Sequence, residues 1–306
     1  MKQGRSFFKS SHVLAIMACI LWSSAFAGIK IGLKYTSPLQ FAGIRFMIAG
    51  LLLLPFCRNL IHEFQLVVKN IKTVLTISLF QTVLLYTFFY LGLHKAPAAI
   101  SAMVSGAGPL FVATLAHFST GKDPMTWRKI LALLVGFSGI VLLAVSKENG
   151  STEHINTIIG IALLLVSNVA GSYGNILISK NKTGINPVLL NSVQIFTGGL
   201  TILILSFFVE GFHFGPKPAT YFVALGWLSF LSAAAFSLWF TVLSRPEVRV
   251  SEINVWKFII PVLGALLSWI LIRAEKPTWY TIVGMILIAG AVLIIYGKKI
   301  KTRLTR

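Results

Sequence analysis

The chain has 306 residues, 56% of them hydrophobic and 11% charged, with a formal net charge of +19 and a mean hydropathy of +0.83. A soluble core cannot absorb so many apolar runs of this length, so the composition excludes a soluble domain and gives a polytopic helical membrane protein. In a soluble chain the basic excess would point to nucleic acid; here Lys and Arg lie in short segments between apolar runs, where they report orientation, and no nucleic-acid partner is expected.

The first segment is basic, with Lys2, Arg5 and Lys9, and is followed by an apolar run that reaches Leu33. Ala25-Phe26-Ala27 imitates a signal-cleavage site, but the run continues through Gly28 and Ile29 and is too long for a signal core. Gly28 and Gly32 form a GxxxG suited to close helix packing. Further runs of bilayer length are Leu39 to Cys57, Ile71 to Leu93, Ala98 to Phe118, Trp127 to Val145, Ile158 to Ile178, Val188 to Val209, Tyr221 to Leu243, Val250 to Ile272 and Trp279 to Tyr296. The expected fold is all-α, with ten transmembrane helices. Segments on the side of both termini carry more than twice the Lys and Arg of the others, which places both termini in the cytoplasm, and the basic tail with Lys298, Lys299, Lys301, Arg303 and Arg306 agrees. Cys19 and Cys57 fall in or at the end of apolar runs and read as packing residues, not as a disulfide framework or a metal set.

The ninth run carries a lysine and a proline where a plain anchor would carry leucine. Pro261 has no amide hydrogen, so the carbonyl it leaves without an intrahelical donor belongs to Lys257. Asn254, Lys257, Pro261, Gly264 and Ser268 recur at helical spacing and form a face that looks at water or at another helix, away from lipid. A lone buried ammonium is costly, so Lys257 meets a substrate anion, snorkels to the interface or pairs with Glu252.

The chain repeats. A shift of 149 places Pro38 on Pro187, Arg45 on Gln194 and Gly50 on Gly199. A shift of 152 places Pro109 on Pro261, Ser105 on Lys257 and Thr126-Trp127 on Thr278-Trp279. An odd number of spans in each half, residues 1–149 and 150–306, gives two inverted five-helix repeats, joined by the polar segment Lys147 to Asn156. Such repeats around interrupted helices are the architecture of secondary transporters, with the site near the midplane.

Three stretches carry a resemblance: Leu21-Trp22-Ser23-Ser24, then Ser37-Pro38-Leu39 leading to Arg45-Phe46, then Ala96 to Pro109. Through them the chain resembles the drug/metabolite transporter superfamily, specifically its ten-helix EamA-type family, over its whole length. The Gly-Glu that this family carries after the fourth and ninth spans is filled imperfectly by Gly121-Lys122-Asp123-Pro124 and Ala274-Glu275-Lys276-Pro277. The resemblance implies an inner-membrane carrier, often an exporter of amino acids or other small metabolites, and a structural role for Arg45 and its repeat partner Gln194. Two features depart from the family pattern: Lys257 itself, and a polar stripe of Ser167, Asn168, Ser172, Asn175 and Ser179 in the sixth span.

The expected substrate-binding set is Lys257, Asn254, Ser105, Ser101, Trp22, Gln81, Tyr86, Asn168, Asn175 and Trp239, with Tyr90 and Tyr173 as further wall candidates and Pro109 and Pro261 as gating breaks. Two positive groups and no buried acid, Glu252 standing at the very start of its run, suggest an anionic or zwitterionic small metabolite such as an amino acid, exported by alternating access. A carrier of phosphorylated sugars or lipid-linked groups is the competing reading within transport. An intramembrane enzyme is disfavoured, because the sequence has no HExxH and no buried carboxylate pair. No Walker loop and no cofactor or metal motif is present. The partners expected are the small-molecule substrate and the bilayer. The nearly nonpolar runs 127–145 and 279–296 read as scaffold or as the contact of a homodimer.

Overall fold

The computed structural model describes residues 10–57, 60–120, 126–144, 152–211, 215–246, 248 and 250–304. Most of the basic first segment, Gly121-Lys122-Asp123-Pro124, part of the linker and Arg306 therefore lie outside the described residues. Every described element is a helix, as a bilayer requires of a chain whose backbone groups must bond within their own segment. The α-helices are α1 (Ser11–Gly32), α2 (Pro38–Leu53), α3 (Leu60–Lys69), α4 (Ile71–Ser78), α5 (Leu85–Lys95), α6 (Ala98–Gly106), α7 (Gly108–Thr120), α8 (Trp127–Ala144), α9 (Thr152–Lys180), α10 (Pro187–Val209), α11 (Ala219–Leu243), α12 (Val250–Ile253), α13 (Ile259–Leu271) and α14 (Trp279–Leu304). Seven helical stretches are long and apolar enough to cross a membrane, and three shorter apolar ones are Ile130–Leu143, Ile259–Leu271 and Trp279–Ala291.

Prolines set several of the starts. Pro38 and Pro187 open α2 and α10, where a missing N–H costs nothing and a fixed φ is already helical. The side chain of Asn186 adds an N-cap, its Oδ1 accepting the Val188 N–H at 2.8 Å. At the far end of α10, Gly211 takes φ +70°, the left-handed turn that stops a helix.

Several expected runs differ in detail. Helix α9 begins at Thr152, so the end of the expected linker is helical. The run Ile71–Lys95 is continuous but includes a π-helical segment at Leu79–Leu84. Helix α3, an amphipathic piece between two membrane runs, was not expected at all. Both proline breaks lie upstream of their prolines. The fourth run is interrupted at Ala107, and the ninth passes from α12 through a 3-10 stretch, Asn254–Phe258, before α13. Pro109 and Pro261 thus sit in the first turn of the helix that follows each interruption, the place where the ring fits. Ahead of Pro261, the Ile259 N–H turns back toward the carbonyls of Trp256 and Lys257.

Glycine controls how the helices meet. Helices α2 and α10 cross with backbones nearly touching: a Cβ on Gly50 would lie 2.9 Å from the Ser192 carbonyl oxygen, and one on Gly199 would lie 3.0 Å from that of Gly43. Ser192 Oγ donates to the Gly50 carbonyl at 2.7 Å in the same crossing. Helices α5 and α9 meet through Gly92 and Gly160, each facing the other's carbonyl at 2.8 Å. Gly28 admits Leu228 of α11 and Gly32 admits Phe41 of α2, as the GxxxG spacing suggests. Helices α8 and α14 pack on each other through Gly139 and Gly284, so one face of each is satisfied within the chain while Phe137, Leu134, Ile286 and Val283 point outward.

Carboxylates tie the two halves at the helix ends. Glu210 reaches back to the start of α2, accepting the Leu39 N–H at 3.1 and 3.0 Å on its two oxygens. Glu275 does the same for α6, taking Ala98 N–H at 2.6 Å and Ala99 N–H at 2.9 Å. From the first half, Glu63 Oε2 accepts the Asn186 N–H ahead of α10 at 3.0 Å. Each places a negative charge where unpaired N–H groups and the helix dipole favour it.

Candidate functional site

A cavity of about 110 Å³ opens between the halves, room for several waters, one of which needs roughly 10–15 Å³ on the same scale. Its wall draws on α1, α2, the stretch 79–89, the α6–α7 break, α9, α11 and the segment around Lys257. Seven of the expected binding residues line it: Trp22, Gln81, Tyr86, Ser105, Asn168, Asn175 and Lys257. Arg45, expected as structural, lines it as well.

Lys257 is half-buried, its Nζ lying 4.8 Å from the Trp239 ring centroid and 5.7 Å from that of Trp22. The negative ring faces supply part of the stabilisation that water would give an ammonium. No salt bridge to Lys257 or Arg45 is present among the described residues; the side chain of Glu252, the expected alternative partner, lies outside them. Trp239 is fully buried and packs on Trp22 at 5.2 Å. It is held by a short relay: Trp239 Nε1 donates to Asn175 Oδ1 at 3.1 Å, Asn175 Nδ2 to Asn254 Oδ1 at 3.3 Å, and Asn254 Nδ2 to the Val250 carbonyl at 2.8 Å. Asn254 and Trp239 therefore lie behind the wall and do not face the cavity.

Arg45 is 1% exposed. Its Nε donates to the Leu228 carbonyl at 3.1 Å and to Ser232 Oγ at 2.9 Å, and its Nη1 to Tyr90 Oη at 2.6 Å. The guanidinium also lies 4.8 Å from the Phe46 ring centroid. A planar fork with several donors is what so many acceptors at fixed angles demand. Its repeat partner Gln194 is buried away from the cavity, accepting from Thr82 Oγ1 at 2.7 Å and donating to Asn191 Oδ1 at 3.1 Å.

The two interruptions meet beside the cavity. A Cβ on Gly106 would fall 2.3 Å from Pro261 Cδ, so only glycine allows this approach. The polar stripe of α9 clasps the first break: Asn168 Nδ2 donates to the Val104 carbonyl at 2.8 Å and Ser172 Oγ to the Gly108 carbonyl at 3.4 Å. These bonds add side-chain donors to carbonyls on either side of the break; that of Val104 also accepts the Ala107 N–H at 3.1 Å.

Other expected residues fall elsewhere. Ser101 is fully buried, bonded to the Pro97 carbonyl at 2.9 Å, and is absent from the wall. Tyr90 is occupied by Arg45, and Tyr173 faces outward against Phe80 at 4.6 Å. Residues not foreseen include Phe26, Phe89 and Phe236, which continue the aromatic wall from Trp22 and Tyr86. The π-helical segment carries Gln81 into the wall, with Gly174 making room: a Cβ there would lie 2.3 Å from Gln81 Oε1. Wide turns of this kind recur at functional sites, and no sequence signal marks this one. Two buried polar atoms of the wall, Trp22 Nε1 and Gln81 Oε1, have no hydrogen-bond partner among the described residues.

Comparison with known proteins supplies the family. The EamA-like transporter family matches residues 9–145 and again 158–297. The chain belongs to that family. It is 27% identical over 295 residues to the uncharacterized transporter YvbV of Bacillus subtilis, covering 95% of this chain and 92% of that one. It is 26% identical over 302 residues to a protein of Escherichia coli named as a probable amino-acid metabolite efflux pump, covering 94% and 96%. An Escherichia coli relative named as the uncharacterized inner membrane transporter YedA is 24% identical over 255 residues, covering 81% and 78%. A solved crystal structure shares the fold at a TM-score of 0.69 and 17% identity, over 97% of this chain and 99% of that one. The EamA-like chain is thus a multi-pass membrane transporter of the drug/metabolite superfamily, and its family and relatives are named as transporters, not as enzymes.

Proposed function

We propose that this transporter is a secondary carrier that exports small anionic or zwitterionic metabolites, amino acids among them, by alternating access to the cavity around Lys257. The observation that carries the reading is the chemistry of the wall: Lys257 and Arg45 enter it, no carboxylate of the described residues does, and Trp22 Nε1 is an unused donor beside the ammonium. A site with that balance is completed by an anion.

Two five-helix halves in opposite orientation, ten spans in all, are the architecture that fits. The α2–α10 crossing supports it, since a shift of 149 carries the Gly50–Ser192 contact onto the Gly199–Gly43 contact, the reciprocity a two-fold relation produces. The meeting of Gly106 with Pro261 supports a gating role for Pro109 and Pro261, because movement of one interrupted helix must displace the other. Both termini lie on the cytoplasmic side of an inner membrane in this reading; the relative named for the inner membrane supports the choice of membrane, and the one named for amino-acid metabolite efflux supports export. The outward faces of α8 and α14 are where a second copy would dock in a homodimer.

Lys257→Ala and Lys257→Arg, reconstituted in proteoliposomes and assayed with radiolabelled amino acids, test the assignment. The alanine variant is expected to lose transport, and the arginine variant to keep recognition of the carboxylate at altered affinity. Transport of the same substrate at wild-type affinity by both variants would refute the role of Lys257.

A further inference from the structure

We propose that α3 is a membrane-surface helix, seated with its apolar stripe in the boundary between lipid headgroups and acyl chains. Ile61, Phe64 and Val68 are 82%, 41% and 69% exposed and share one side of the helix by their spacing. The other side is engaged with the protein: Val67 is 3% exposed, and Glu63 holds the Asn186 N–H.

The neighbouring surface identifies the occupant. Just before α3, Leu51, Leu52 and Phe56 are exposed on the membrane run that ends there, and just after it Ile71, Leu75 and Leu79 are exposed on the next. The stripe of α3 is therefore bracketed along the chain by exposed apolar residues of two membrane-length runs. A helix of 10 residues is only about 15 Å long, and with membrane runs at both ends it cannot leave the surface. Lys69 and Lys72 are exposed beside the stripe and suit the phosphates of that boundary. Because Glu63 sits on the same helix, lipid that seats α3 also holds the carboxylate at the entry of α10, across the divide between the halves.

Spin labels placed singly at positions 61, 64, 65, 68 and 69, in a Cys19→Ala, Cys57→Ala background, test this in vesicles of phosphatidylethanolamine and phosphatidylglycerol. Oxygen accessibility is expected to peak at 61, 64 and 68, with low accessibility to a water-soluble nickel chelate, position 65 at the edge of the stripe to be intermediate, and the order to invert at 69. High nickel accessibility at 61, 64 and 68 would place the stripe in water and overturn the proposal. Low accessibility to both reagents would also overturn it, with dipolar broadening showing that a second copy covers the stripe. The unmodified protein gives an independent reading: a photoactivatable phosphatidylcholine with its carbene precursor near the headgroup should label the peptide 60–69, and absence of label there while 71–79 is labelled would count against the seating.

Discussion

Glu275→Gln isolates the contact between the α13–α14 connection and the start of α6. The carboxylate accepts two N–H groups, at 2.6 and 2.9 Å, and is only partly exposed. The glutamine keeps one acceptor oxygen and the shape but loses the charge, so the loss is that of an anion at a helix N-terminus, about 0.3–1 kcal/mol at a surface and up to about 2 kcal/mol in a partly buried geometry. We take about 1–2 kcal/mol, which shifts a two-state equilibrium roughly 5- to 30-fold. If this contact closes one end of the cavity, the variant should populate the state open at that end. The assay is the rate at which a membrane-impermeant thiol reagent modifies Ser105→Cys in the cavity wall, in a background lacking Cys19 and Cys57, from each side of sealed vesicles. The expected result is a rise of that order from the side where Glu275 lies and a fall from the other. Unchanged rates from both sides, with only a drop in thermal stability, would show that the carboxylate merely caps a helix.

Gln81→Leu should separate binding from folding: its Oε1 is buried and unpartnered, so the apolar replacement removes a desolvated acceptor of about 1–3 kcal/mol. Its thermal midpoint in detergent should hold or rise while substrate affinity falls; a lower midpoint would mean that Gln81 is satisfied. Arg45→Lys loses the fork that serves Tyr90, Ser232 and the Leu228 carbonyl together and should cost about 1–3 kcal/mol, read as a lower midpoint for ligand-free protein; an unchanged midpoint would assign Arg45 to substrate alone. Gly106→Ala pushes a methyl into Pro261 and should slow exchange between the two access states, seen as reduced transport with substrate binding kept; wild-type transport would show that the two breaks move independently.

The apolar runs were legible because a bilayer leaves a chain few choices, and their ends were legible wherever proline opened a helix. The cavity was legible in part for a related reason: a lysine and amides in hydrocarbon need an explanation, and four residues so marked, Lys257, Gln81, Asn168 and Asn175, share one wall with the candidates Trp22, Tyr86 and Ser105. Asn254 and Trp239 were singled out for their chemistry, yet they lie behind the wall, since hydrogen-bond direction is decided by neighbours distant in the chain. Ser101 was misleading because a hydroxyl in a helix can bond its own carbonyl four residues back and need no other partner. Helix α3 escaped notice because its stripe is short and lies between two stronger runs. The π-helical turn at Gln81 depends on Gly174 and Gly198 opposite it, a pairing that no local pattern announces.

The crossing of α2 with α10 bears on how such a molecule could rock. Where two helices mesh through large side chains, changing their angle means pulling knobs out of holes; where peptide planes meet across glycine, there is nothing to disengage. In the carrier proposed above, this close joint is also a smooth one, a bearing surface on which one half pivots while its grip on the other stays intact. Gly199→Ala, which sets a methyl 2.8 Å from the Met47 amide nitrogen, would roughen that bearing, and turnover that slows without loss of affinity is the signature to look for.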